Sequence, residues 1–291
     1  MRDCTLKVAA IHDLSGYGRA SLTAVIPIIS AMGIQVCPLP TAVLSNHTGG
    51  FKNFSYTDLT DSMPEYIKRW KEINIDFDAV YSGYLGSRKQ IDIISGFIDD
   101  FRKDKTLVMV DPVMGDNGTF YKSFDETYVP LMKKLIKKAD IITPNFTEAS
   151  MLLGLKKTPE EISADEAKDW LYKLGETGPE MTVITSVPGL KDDTKTEVLA
   201  YRKSNNSVWK VSCQYIPASY PGTGDAFSSV LLGSLLKGES LPVAADLAVQ
   251  FISQCIKASF GFDYPKEYGV MLEKELFFFS KYHIISDYEK L

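Results

Sequence analysis

The sequence has few cysteines, no paired cysteine motif and no long uninterrupted apolar run. Its four cysteines stand far apart, at Cys4, Cys37, Cys213 and Cys255. This spacing argues against a zinc site and a disulfide framework, and it predicts free thiols in a reducing cytoplasm. The most apolar stretch, residues 22–44, is interrupted by prolines, which favours a buried helix and a strand over a membrane span. The N-terminal residues 1–13 lack the apolar core of a signal peptide.

The sequence also lacks a concentrated positive charge. It has 32 lysine and arginine residues against 37 aspartate and glutamate residues, which gives a formal net charge of −5. A nucleic-acid-binding protein needs a cationic surface that displaces counterions. We therefore expect no nucleic-acid partner, no membrane partner and a cytoplasmic location.

Two common nucleotide-binding motifs are incomplete or missing. Gly16-Tyr17-Gly18 stands between a predicted strand and a predicted helix, as a dinucleotide-binding turn does, but the third glycine position is Ser21. No Asp or Glu occurs from Leu14 to Thr57, so the acid that would hold the ribose is absent. A Walker A loop is missing too, so any phosphate must be bound by another device.

Short apolar runs alternate with amphipathic stretches along most of the chain. The apolar runs predict strands at residues 6–11, 34–39, 79–82, 106–110, 140–143 and 182–185. The amphipathic stretches predict helices at residues 21–32, 58–73, 89–101, 125–138, 147–153 and 165–174. This alternation predicts an α/β fold with a mostly parallel sheet and helices on both faces.

The pattern changes after Ser186. Residues 197–201 and 208–215 predict a hairpin. Residues 224–236, 241–259 and 267–282 predict helices. No internal repeat or linker interrupts the chain, so we expect residues 1–291 to form a single domain.

The strongest chemical signal is Pro-Gly-Thr-Gly-Asp-Ala-Phe at residues 221–227, which opens an apolar helix. Gly222, Thr223 and Gly224 allow successive backbone N–H groups to converge on an anion, and the helix N-terminus adds partial positive charge. Such a nest suits the charge that builds on a γ-phosphoryl group in transfer. Asp225, in the first turn, can take a proton from an attacking hydroxyl. Taken alone, a helix-capping role for Asp225 has equal weight.

Polar residues follow three consecutive predicted strands. Asp111 follows the first strand, Asn145 and Glu148 follow the second, and Thr185 and Ser186 follow the third. Because the carboxyl ends of parallel strands face the ligand crevice of an open sheet, we expect these residues to line a site for ATP phosphates. Carboxylates also suit Mg²⁺, directly or through water. Each residue alone fits a turn or a cap, but their joint occurrence with the nest favours a site.

Several motifs resemble those of known kinases. Gly222-Thr223-Gly224-Asp225 resembles the C-terminal signature of the ribokinase superfamily. Four further motifs resemble the pyridoxal kinase family: Ser45-Asn46-His47-Thr48, Ser82-Gly83-Tyr84-Leu85-Gly86-Ser87, Asp111-Pro112-Val113-Met114-Gly115-Asp116 and Thr143-Pro144-Asn145. The resemblance implies a ribokinase-like three-layer α/β/α sandwich. It also implies ATP-dependent phosphorylation of the 5′-hydroxymethyl group of pyridoxal, pyridoxamine and pyridoxine, in the salvage of pyridoxal 5′-phosphate.

The resemblance implies roles for residues on the substrate side. Asp225 is expected to be the general base for the 5′-hydroxyl group, and residues 222–224 are expected to form the anion hole. Thr48 and Tyr84 are expected to contact the pyridine ring. The resemblance also implies a homodimer, and we expect the apolar helix at residues 22–32 and residues 53–56 at its interface.

The resemblance also implies roles for residues on the ATP side. Asp111, Asn145 and Glu148 are expected to serve the ATP phosphates, with Asp111 and Glu148 holding Mg²⁺. Thr143 and Thr185 are expected near the triphosphate and a monovalent cation such as K⁺.

A loop is expected to close over ATP at residues 116–121, with Asp116 and Tyr121 at its ends. Gly115, Asn117 and Gly118 favour mobility there, and closure would exclude water from the phosphoryl donor.

The chain departs from the family pattern after the first strand. Pyridoxal kinases usually carry Gln-Ser-His there, with the serine at the ring, whereas this chain has Ile11-His12-Asp13-Leu14-Ser15. Asp13 therefore stands at the position of a substrate-binding serine. Its carboxylate either accepts hydrogen bonds from the backbone of the Gly16-Tyr17-Gly18 turn or faces the ring substituents, which would favour pyridoxamine.

Two alternative functions stay open. The hydroxymethylpyrimidine kinases of thiamine synthesis are similar in carrying an Asp near position 13, but they usually show Gly-Thr-Gly-Cys at the nest. A non-catalytic pyridoxal 5′-phosphate carrier on the same fold is the second alternative. Asp225, Asp111 and Glu148 argue against it, because a carrier needs neither a base nor a metal site.

Overall fold

The computed structural model describes residues 5–155, 157, 162–188, 194–280 and 288–290. Cys4 lies outside these residues, whereas Cys37, Cys213 and Cys255 are free thiols, as the sequence predicts. Within the described part of the chain, no helix combines the length and the apolar character that crossing a bilayer requires.

Ten strands of the described residues form one sheet, and two more form a separate hairpin. The strands are β1 (Lys7–Ser15), β2 (Gln35–Leu44), β3 (Tyr56–Asp58), β4 (Ala79–Ser82), β5 (Leu107–Val110), β6 (Gly115–Asp116), β7 (Thr119–Phe120), β8 (Ile141–Ile142), β9 (Met181–Pro188), β10 (Lys195–Arg202), β11 (Ser207–Gln214) and β12 (Tyr288–Lys290). The sheet order is β12-β11-β10-β9-β8-β5-β4-β1-β2-β3, and β6 pairs with β7. Every pairing between neighbours from β9 to β2 in this order is parallel. The pairings of β3 with β2, β10 with β9, β11 with β10 and β12 with β11 are antiparallel.

Helices cover both faces of the sheet. They are α1 (Leu22–Ala31), α2 (Met63–Glu72), α3 (Arg88–Phe101), α4 (Val129–Ile136), α5 (Phe146–Leu153), α6 (Ala164–Gly175), α7 (Thr223–Leu236), α8 (Leu241–Phe260) and α9 (Leu272–Glu275). Side chains of β1 alternate between two cores: Ala9 and Ile11 pack with α2 to α6, whereas Val8 and Ala10 pack with α1, α7 and α8. Strands buried on both faces are typical of parallel sheets. The predicted three-layer α/β/α sandwich is thus confirmed.

The strand order places a switch point at β1. Strand β2 lies on one side of β1 and β4 lies on the other, and ligands of open α/β sheets bind outside the carboxyl ends of strands at such a point. The pairing of β1 with β2 also shifts in register between His12 and Leu14. Bulges of this kind re-aim side chains next to active sites, and Asp13 stands at the shift.

Two predictions of local structure are wrong. In place of the helix predicted at residues 267–282, the described residues form a 3-10 turn at Lys266–Tyr268, helix α9 and a 3-10 stretch at Leu276–Ser280. Gly269, with a φ of 79°, takes the left-handed conformation that stops the first turn. Residues 281 and 282 of that predicted helix lie outside the described residues. The second wrong prediction is the start of the helix at residues 58–73. Asp58 ends strand β3 instead, and α2 begins only at Met63.

Helix α1 does not offer the apolar surface that was expected at a dimer interface. Its large apolar side chains, including Leu22, Val25, Ile28 and Ile29, are buried in the core of the same chain. Residues in the second predicted interface region remain available, since Phe54 and Tyr56 are about two-fifths exposed, at 40% and 41%.

Candidate active site

The N-terminus of α7 forms the nest that the glycine motif predicts. Gly222 caps the helix with a φ of 82°, and a Cβ atom there would lie 1.9 Å from the carbonyl oxygen of Arg19. The first N–H that bonds back into the helix is that of Ala226, which donates to Gly222 O at 3.0 Å. The preceding N–H groups have no partner within the helix and are open to an anion. A Cβ at Gly224 would meet no atom within 4 Å, so the space beside it is open.

Asp225 stands in the first turn of α7, and a distant part of the chain holds its carboxylate. The backbone N–H of Ser21 donates to Oδ2 at 2.8 Å. The other oxygen, Oδ1, lies 3.7 Å from Nδ1 of His12. The carboxylate therefore remains partly accessible, with a side chain 16% exposed, and does not act only as a cap of its own helix.

Asp13 lies next to this carboxylate at the end of β1. Its oxygens accept hydrogen bonds from the hydroxyls of Ser21 at 2.5 Å and Ser15 at 3.1 Å. These partners are side-chain hydroxyls, so the expected bonds from the backbone of the Gly16-Tyr17-Gly18 turn are not the ones that hold Asp13. Burial raises the pKa of Asp13 above its ordinary value; the Ser21 hydrogen bond opposes this shift, and the charge of Asp225 adds to it.

Ser21 links the two carboxylates, and the sequence did not reveal this role. Its hydroxyl donates to Asp13 while its backbone N–H donates to Asp225. Its φ of 52° is the left-handed conformation that glycine usually takes, at the third position of the broken dinucleotide motif. A serine in a glycine position was the signal available, but its partner lies 204 residues away in the chain.

The residues expected at the pyridine ring differ in exposure. Thr48 is exposed, whereas Tyr84 is half-buried with its ring against Phe124 at 5.4 Å. Burial raises the pKa of Tyr84, and the charge of Asp13 adds to this shift. His47 connects two segments of the chain: Gly49 N–H donates to its Nδ1 at 3.1 Å, so its Nε2–H donates to the carbonyl oxygen of Glu267 at 2.7 Å.

Asp111 lies buried on the opposite side of the site. The hydroxyl of Ser228, one turn into α7, lies 3.3 Å from Asp111 Oδ2 and 3.0 Å from Thr143 Oγ1. Burial raises the pKa of Asp111 well above its ordinary value, and the charges of Glu148 and Asp225 add to this. A cation at this position would relieve that cost, because it favours the ionised carboxylate.

Glu148 and Asn145 form a capping box at the start of α5. The Asn145 side chain accepts from Glu148 N–H at 2.9 Å, and Glu148 Oε2 accepts from Asn145 N–H at 2.9 Å. The second oxygen, Oε1, accepts from Met114 N–H at 3.0 Å. Burial nevertheless raises the pKa of Glu148 to about 8, against the lowering effect of these bonds. Both oxygens of Glu148 are thus used to hold local backbone.

The loop expected to close over ATP is a small β-hairpin. Strands β6 and β7 pair across Asn117 and Gly118, whose φ values of 50° and 75° fit a tight turn with two left-handed residues. Gly118 N–H donates to the hydroxyl of Thr147 at 2.9 Å, and Asn145 Nδ2 donates to Gly115 O at 2.8 Å. The hairpin is therefore attached to the first turn of α5.

The ends of this hairpin carry the other two loop residues of the prediction. Burial raises the pKa of Asp116, while the Asn117 N–H bond opposes that shift. Tyr121 is 43% exposed, and its N–H donates to Met114 O at 3.0 Å. Thr185 and Ser186 do not follow a strand, as predicted, but lie inside β9, which continues to Pro188. Thr185 N–H donates to Pro144 O at 3.0 Å, and Ser186 is exposed.

The donor set suits a magnesium ion that arrives with a nucleotide. In the ranges that the structure describes, no three His, Cys, Asp or Glu side chains gather into a self-sufficient metal site. Mg²⁺ commonly takes only one or two carboxylates from the protein and fills its octahedron with phosphate oxygens and water. Asp111, with an oxygen held only by a long Ser228 bond, fits this requirement, and Glu148 can contribute through water.

The site has two parts that could perform a phosphoryl transfer. The Asp225 side consists of His12, Asp13, Ser21 and Asp225, and it offers a carboxylate beside an anion nest. The Glu148 side consists of Asp111, Thr143, Asn145, Glu148 and the β6–β7 hairpin, and it offers buried carboxylates for a metal-bound polyphosphate.

Comparisons with known sequences agree with this chemistry. The sequence model of the phosphomethylpyrimidine kinase family matches residues 15–270. The pyridoxal kinase of Arabidopsis thaliana is 30% identical over 258 residues, which cover 84% of this chain and 79% of the plant protein.

Solved structures show the same fold. A protein of Bacteroides thetaiotaomicron VPI-5482, provisionally assigned as a phosphomethylpyrimidine kinase and crystallised with pyridoxal, is 52% identical, with a TM-score of 0.95 over 99% of this chain and 100% of that one. The pyridoxal kinase of Lactobacillus plantarum is 28% identical, with a TM-score of 0.85 over 95% and 97% of the two chains. The Leishmania donovani pyridoxal kinase, in complex with ADP and pyridoxamine, shares the fold at 21% identity, with a TM-score of 0.87 over 98% of each chain.

Proposed function

The chain belongs to the pyridoxal kinase family, and from this membership we propose that it transfers the γ-phosphoryl group of ATP to the 5′-hydroxymethyl group of B6 vitamers. The observation that carries the proposal is the position of Asp225, beside the Gly222–Gly224 nest and held by the N–H of Ser21 at 2.8 Å. A base and an anion site at one point are what the transfer of a phosphoryl group to an alcohol requires.

In the proposed step, Asp225 takes the proton of the vitamer hydroxyl. The hydroxyl oxygen forms a bond to the γ-phosphorus, the bond from phosphorus to the bridging oxygen breaks, and ADP leaves with that electron pair. The open N–H groups of residues 222–224 stabilise the negative charge on the transferring group. The product carries the phosphate ester, and Asp225 returns its proton to solvent.

Other residues bind and orient the two substrates. Asp13, Thr48 and Tyr84 line the vitamer subsite at the switch point, with Asp13 toward the ring substituents. Asp116 and Tyr121 carry the hairpin over the nucleotide, while Thr185 and Ser186 border the triphosphate at the next strand pair. Ordering of the hairpin over ATP excludes water and suppresses hydrolysis.

Asp111 and Glu148 are the residues that would hold Mg²⁺, with Glu148 acting through water because both of its oxygens accept backbone N–H groups. The ion, when bound, neutralises charge on the β- and γ-phosphates. Thr143 and Thr185 are suited to border a monovalent cation such as K⁺, through hydroxyl and carbonyl oxygens.

We also propose that residues 1–291 act as one kinase domain and assemble as a homodimer. The sheet takes strands from Lys7 through Lys290, which supports a single unit. Phe54 and Tyr56, two of the exposed aromatic residues, lie in the region expected at the interface and are available to a second copy. Light scattering at working concentration tests the assembly, and a monomer mass would reject it.

The direct test is a substrate panel with Mg-ATP: pyridoxal, pyridoxamine, pyridoxine and hydroxymethylpyrimidine, with ADP release and phosphate-ester formation measured together. Turnover of B6 vitamers is the expected result. The family model and the Bacteroides protein carry a phosphomethylpyrimidine assignment, so turnover of hydroxymethylpyrimidine alone would shift the function to thiamine synthesis. Tight vitamer binding with no ADP release would instead indicate a carrier.

A further inference from the structure

His12 occupies a closed position directly behind Asp225. It lies on β1, its side chain is fully buried, and its ring stands edge-to-face against Tyr81 with centroids 4.4 Å apart. The ring reaches this position only because residue 83 is glycine, since a Cβ there would lie 2.3 Å from His12 Nδ1. The ring is therefore closely packed between Tyr81 and Gly83.

Both ring nitrogens of His12 lack a hydrogen-bond partner among the described residues. A buried polar group without a partner has lost its hydration and gained no bond in return, and native proteins keep few such groups. The acidic oxygen that faces the ring is Asp225 Oδ1, 3.7 Å from Nδ1. This distance is just beyond a hydrogen bond, and catalytic hydrogen bonds are commonly long without substrate and tighten when it binds.

We propose that His12 is a positioning residue for Asp225, whose Oδ1 accepts the Nδ1–H of His12 once the vitamer is bound. With Ser21 N–H on Oδ2, both carboxylate oxygens are then fixed, and the free lone pairs are directed at the substrate hydroxyl. The inference rests on the proposed function of Asp225.

The geometry also selects the tautomer of His12. A neutral imidazole carries one N–H. If the proton were on Nε2, the bare Nδ1 would face a carboxylate oxygen, and two acceptors would stand against each other. A proton on Nδ1 gives Asp225 a donor and leaves Nε2 as a bare acceptor without a partner among the described residues. The expected form is therefore the Nδ1–H form, both in the free enzyme and in the complex.

Three substitutions at position 12 separate the donor from the bulk of the ring. His12→Asn keeps an N–H close to the position of Nδ1, His12→Gln moves it toward that of Nε2, and His12→Leu removes it. We expect His12→Asn to keep most of the kcat. His12→Gln and His12→Leu should lower kcat by up to roughly 10²-fold, the cost of misplacing a reacting group by about 1 Å, with KM for ATP unchanged.

The decisive experiment combines a substitution of His12 with one of Asp225. In an Asp225→Asn background, His12→Leu should cause no further loss of kcat, because the carboxylate that His12 orients is gone. Thr182→Val is the matched control: Thr182 is also fully buried with an unpartnered hydroxyl, but it lies on β9. This control should leave kcat unchanged, and melting temperatures identify any variant that fails to fold.

A readout independent of turnover is the side-chain ¹⁵N NMR spectrum of histidine, which is tractable because the chain has only 3 histidines. The expected spectrum assigns the Nδ1–H form to His12 and shows its proton moving downfield when pyridoxal is added. An Nε2–H form, equal kcat for His12→Asn and His12→Leu, or additive losses with Asp225→Asn would each overturn the proposal. Wild-type turnover and the Asp225→Asn variant test the proposed function separately, so the two failures are distinguishable.

Discussion

The two sides of the site use their carboxylates in opposite ways. On the Glu148 side, both oxygens of Glu148 accept backbone N–H groups from its own capping box and from Met114, so the carboxylate holds local structure together. On the Asp225 side, the carboxylate is held by one N–H from a residue 204 positions away, and its other oxygen faces a histidine that it does not yet contact at hydrogen-bond distance. A group saturated by backbone is suited to build the site, whereas an incompletely paired one is suited to react.

The comparison predicts that substitutions on the Asp225 side reduce kcat and leave stability nearly intact. The largest effect is expected for Asp225→Asn, with a loss of roughly 10²–10⁴ in kcat, the usual contribution of a positioned general base. The amide oxygen can still accept from Ser21 N–H, so the melting temperature and ATP binding should change little. Steady-state kinetics and a thermal melt measure both.

Asp78 offers a matched control for this substitution. Its Oδ2 accepts the N–H of Lys7 at 2.8 Å, a bond of the same kind and length, at the opposite end of β1 from the site. Asp78→Asn should leave kcat unchanged. If Asp225→Asn keeps activity within a few-fold of wild type, Asp225 is a helix cap and the assignment of the base is wrong.

Alanine substitutions at two glycines of the nest should have different effects, one on kcat and the other on stability. Gly224→Ala adds a Cβ into open space where the γ-phosphoryl group is expected, so we predict a loss of up to roughly 10²-fold in kcat with an unchanged melting temperature. Gly222→Ala has the opposite character, because its φ of 82° and the 1.9 Å approach to Arg19 O are incompatible with a side chain. It should unfold at a lower temperature whether or not nucleotide is present.

Gly96, inside α3, is the control for the effect of alanine alone. A Cβ there meets no atom within 4 Å, so Gly96→Ala should stabilise the helix by about 0.5–1 kcal/mol and leave kcat unchanged. Loss of activity in Gly224→Ala through unfolding, rather than at constant stability, would mean that the space beside Gly224 is not the phosphate position.

The sequence predicts those parts of the molecule whose signals are local. The strand at residues 79–82 is observed at Ala79–Ser82, and the predicted helix at 241–259 is observed at Leu241–Phe260, because apolar runs and helix stops set their limits. Strands β3, β6, β7 and β12 were missed, since two or three residues carry no usable period. The C-terminal helix was overpredicted because its amphipathic pattern outweighed Gly269, whose φ of 79° breaks it.

The site divides in the same way. Asp225, Asp111 and Glu148 could be named because each follows a strand or opens a helix in a recognisable motif. Ser21 and His12 could not be named from the sequence. Ser21 contacts Asp225 through its backbone N–H, and His12 faces it with a ring that has no hydrogen-bond partner in the described part of the chain. Both depend on contacts between residues more than 200 positions apart. Sequence patterns locate chemical groups, but they do not show which backbone donor or buried ring completes them.

The Glu148 side should respond to pH through stability. Burial raises the pKa of Glu148 from its ordinary value of 4.5 to about 8, so its contribution to stability is complete below pH 4.5 and is lost as pH rises through about 8. We predict that the ligand-free protein loses stability over this window and that Glu148→Gln flattens the loss. At low pH the variant should be less stable by about 1–3 kcal/mol, because one N–H, of Met114 or Asn145, loses its acceptor.

Thermal melts of both proteins between pH 4.5 and pH 8 measure the slope. Glu65→Gln, on the exposed face of α2, is the control and should follow the wild-type slope. A wild-type curve that rises across this window, or a Glu148→Gln slope equal to that of wild type, would show that Glu148 is ionised in the free protein.

The smallest expected effect is that of substituting Asp13, which should change the preference between pyridoxamine and pyridoxal. Pyridoxamine carries an ammonium group where pyridoxal carries an aldehyde, and a carboxylate about 4 Å from it could gain up to roughly 4 kcal/mol at an effective dielectric near 20, before desolvation is subtracted. The hydrogen bonds from Ser15 and Ser21 hold the Asp13 carboxylate in place, while its burial raises its pKa, so part of that gain is spent on ionising it.

We predict that Asp13→Ser lowers kcat/KM for pyridoxamine about tenfold more than for pyridoxal, which corresponds to about 1.4 kcal/mol of net attraction. Asp13→Asn is the informative partner variant, because its amide oxygen can still accept from the Ser21 hydroxyl while the charge is removed. If charge sets the preference, both variants shift the ratio of the two kcat/KM values equally. If Asp13 only braces Ser21 and, through it, Asp225, then Asp13→Ser loses activity on both vitamers alike and Asp13→Asn retains it. The ratio of the two kcat/KM values reports on the contact of Asp13 with the vitamer ring, and a loss common to both vitamers reports on its support of Asp225. A single set of kinetic measurements therefore decides whether Asp13 serves the substrate or the proposed base.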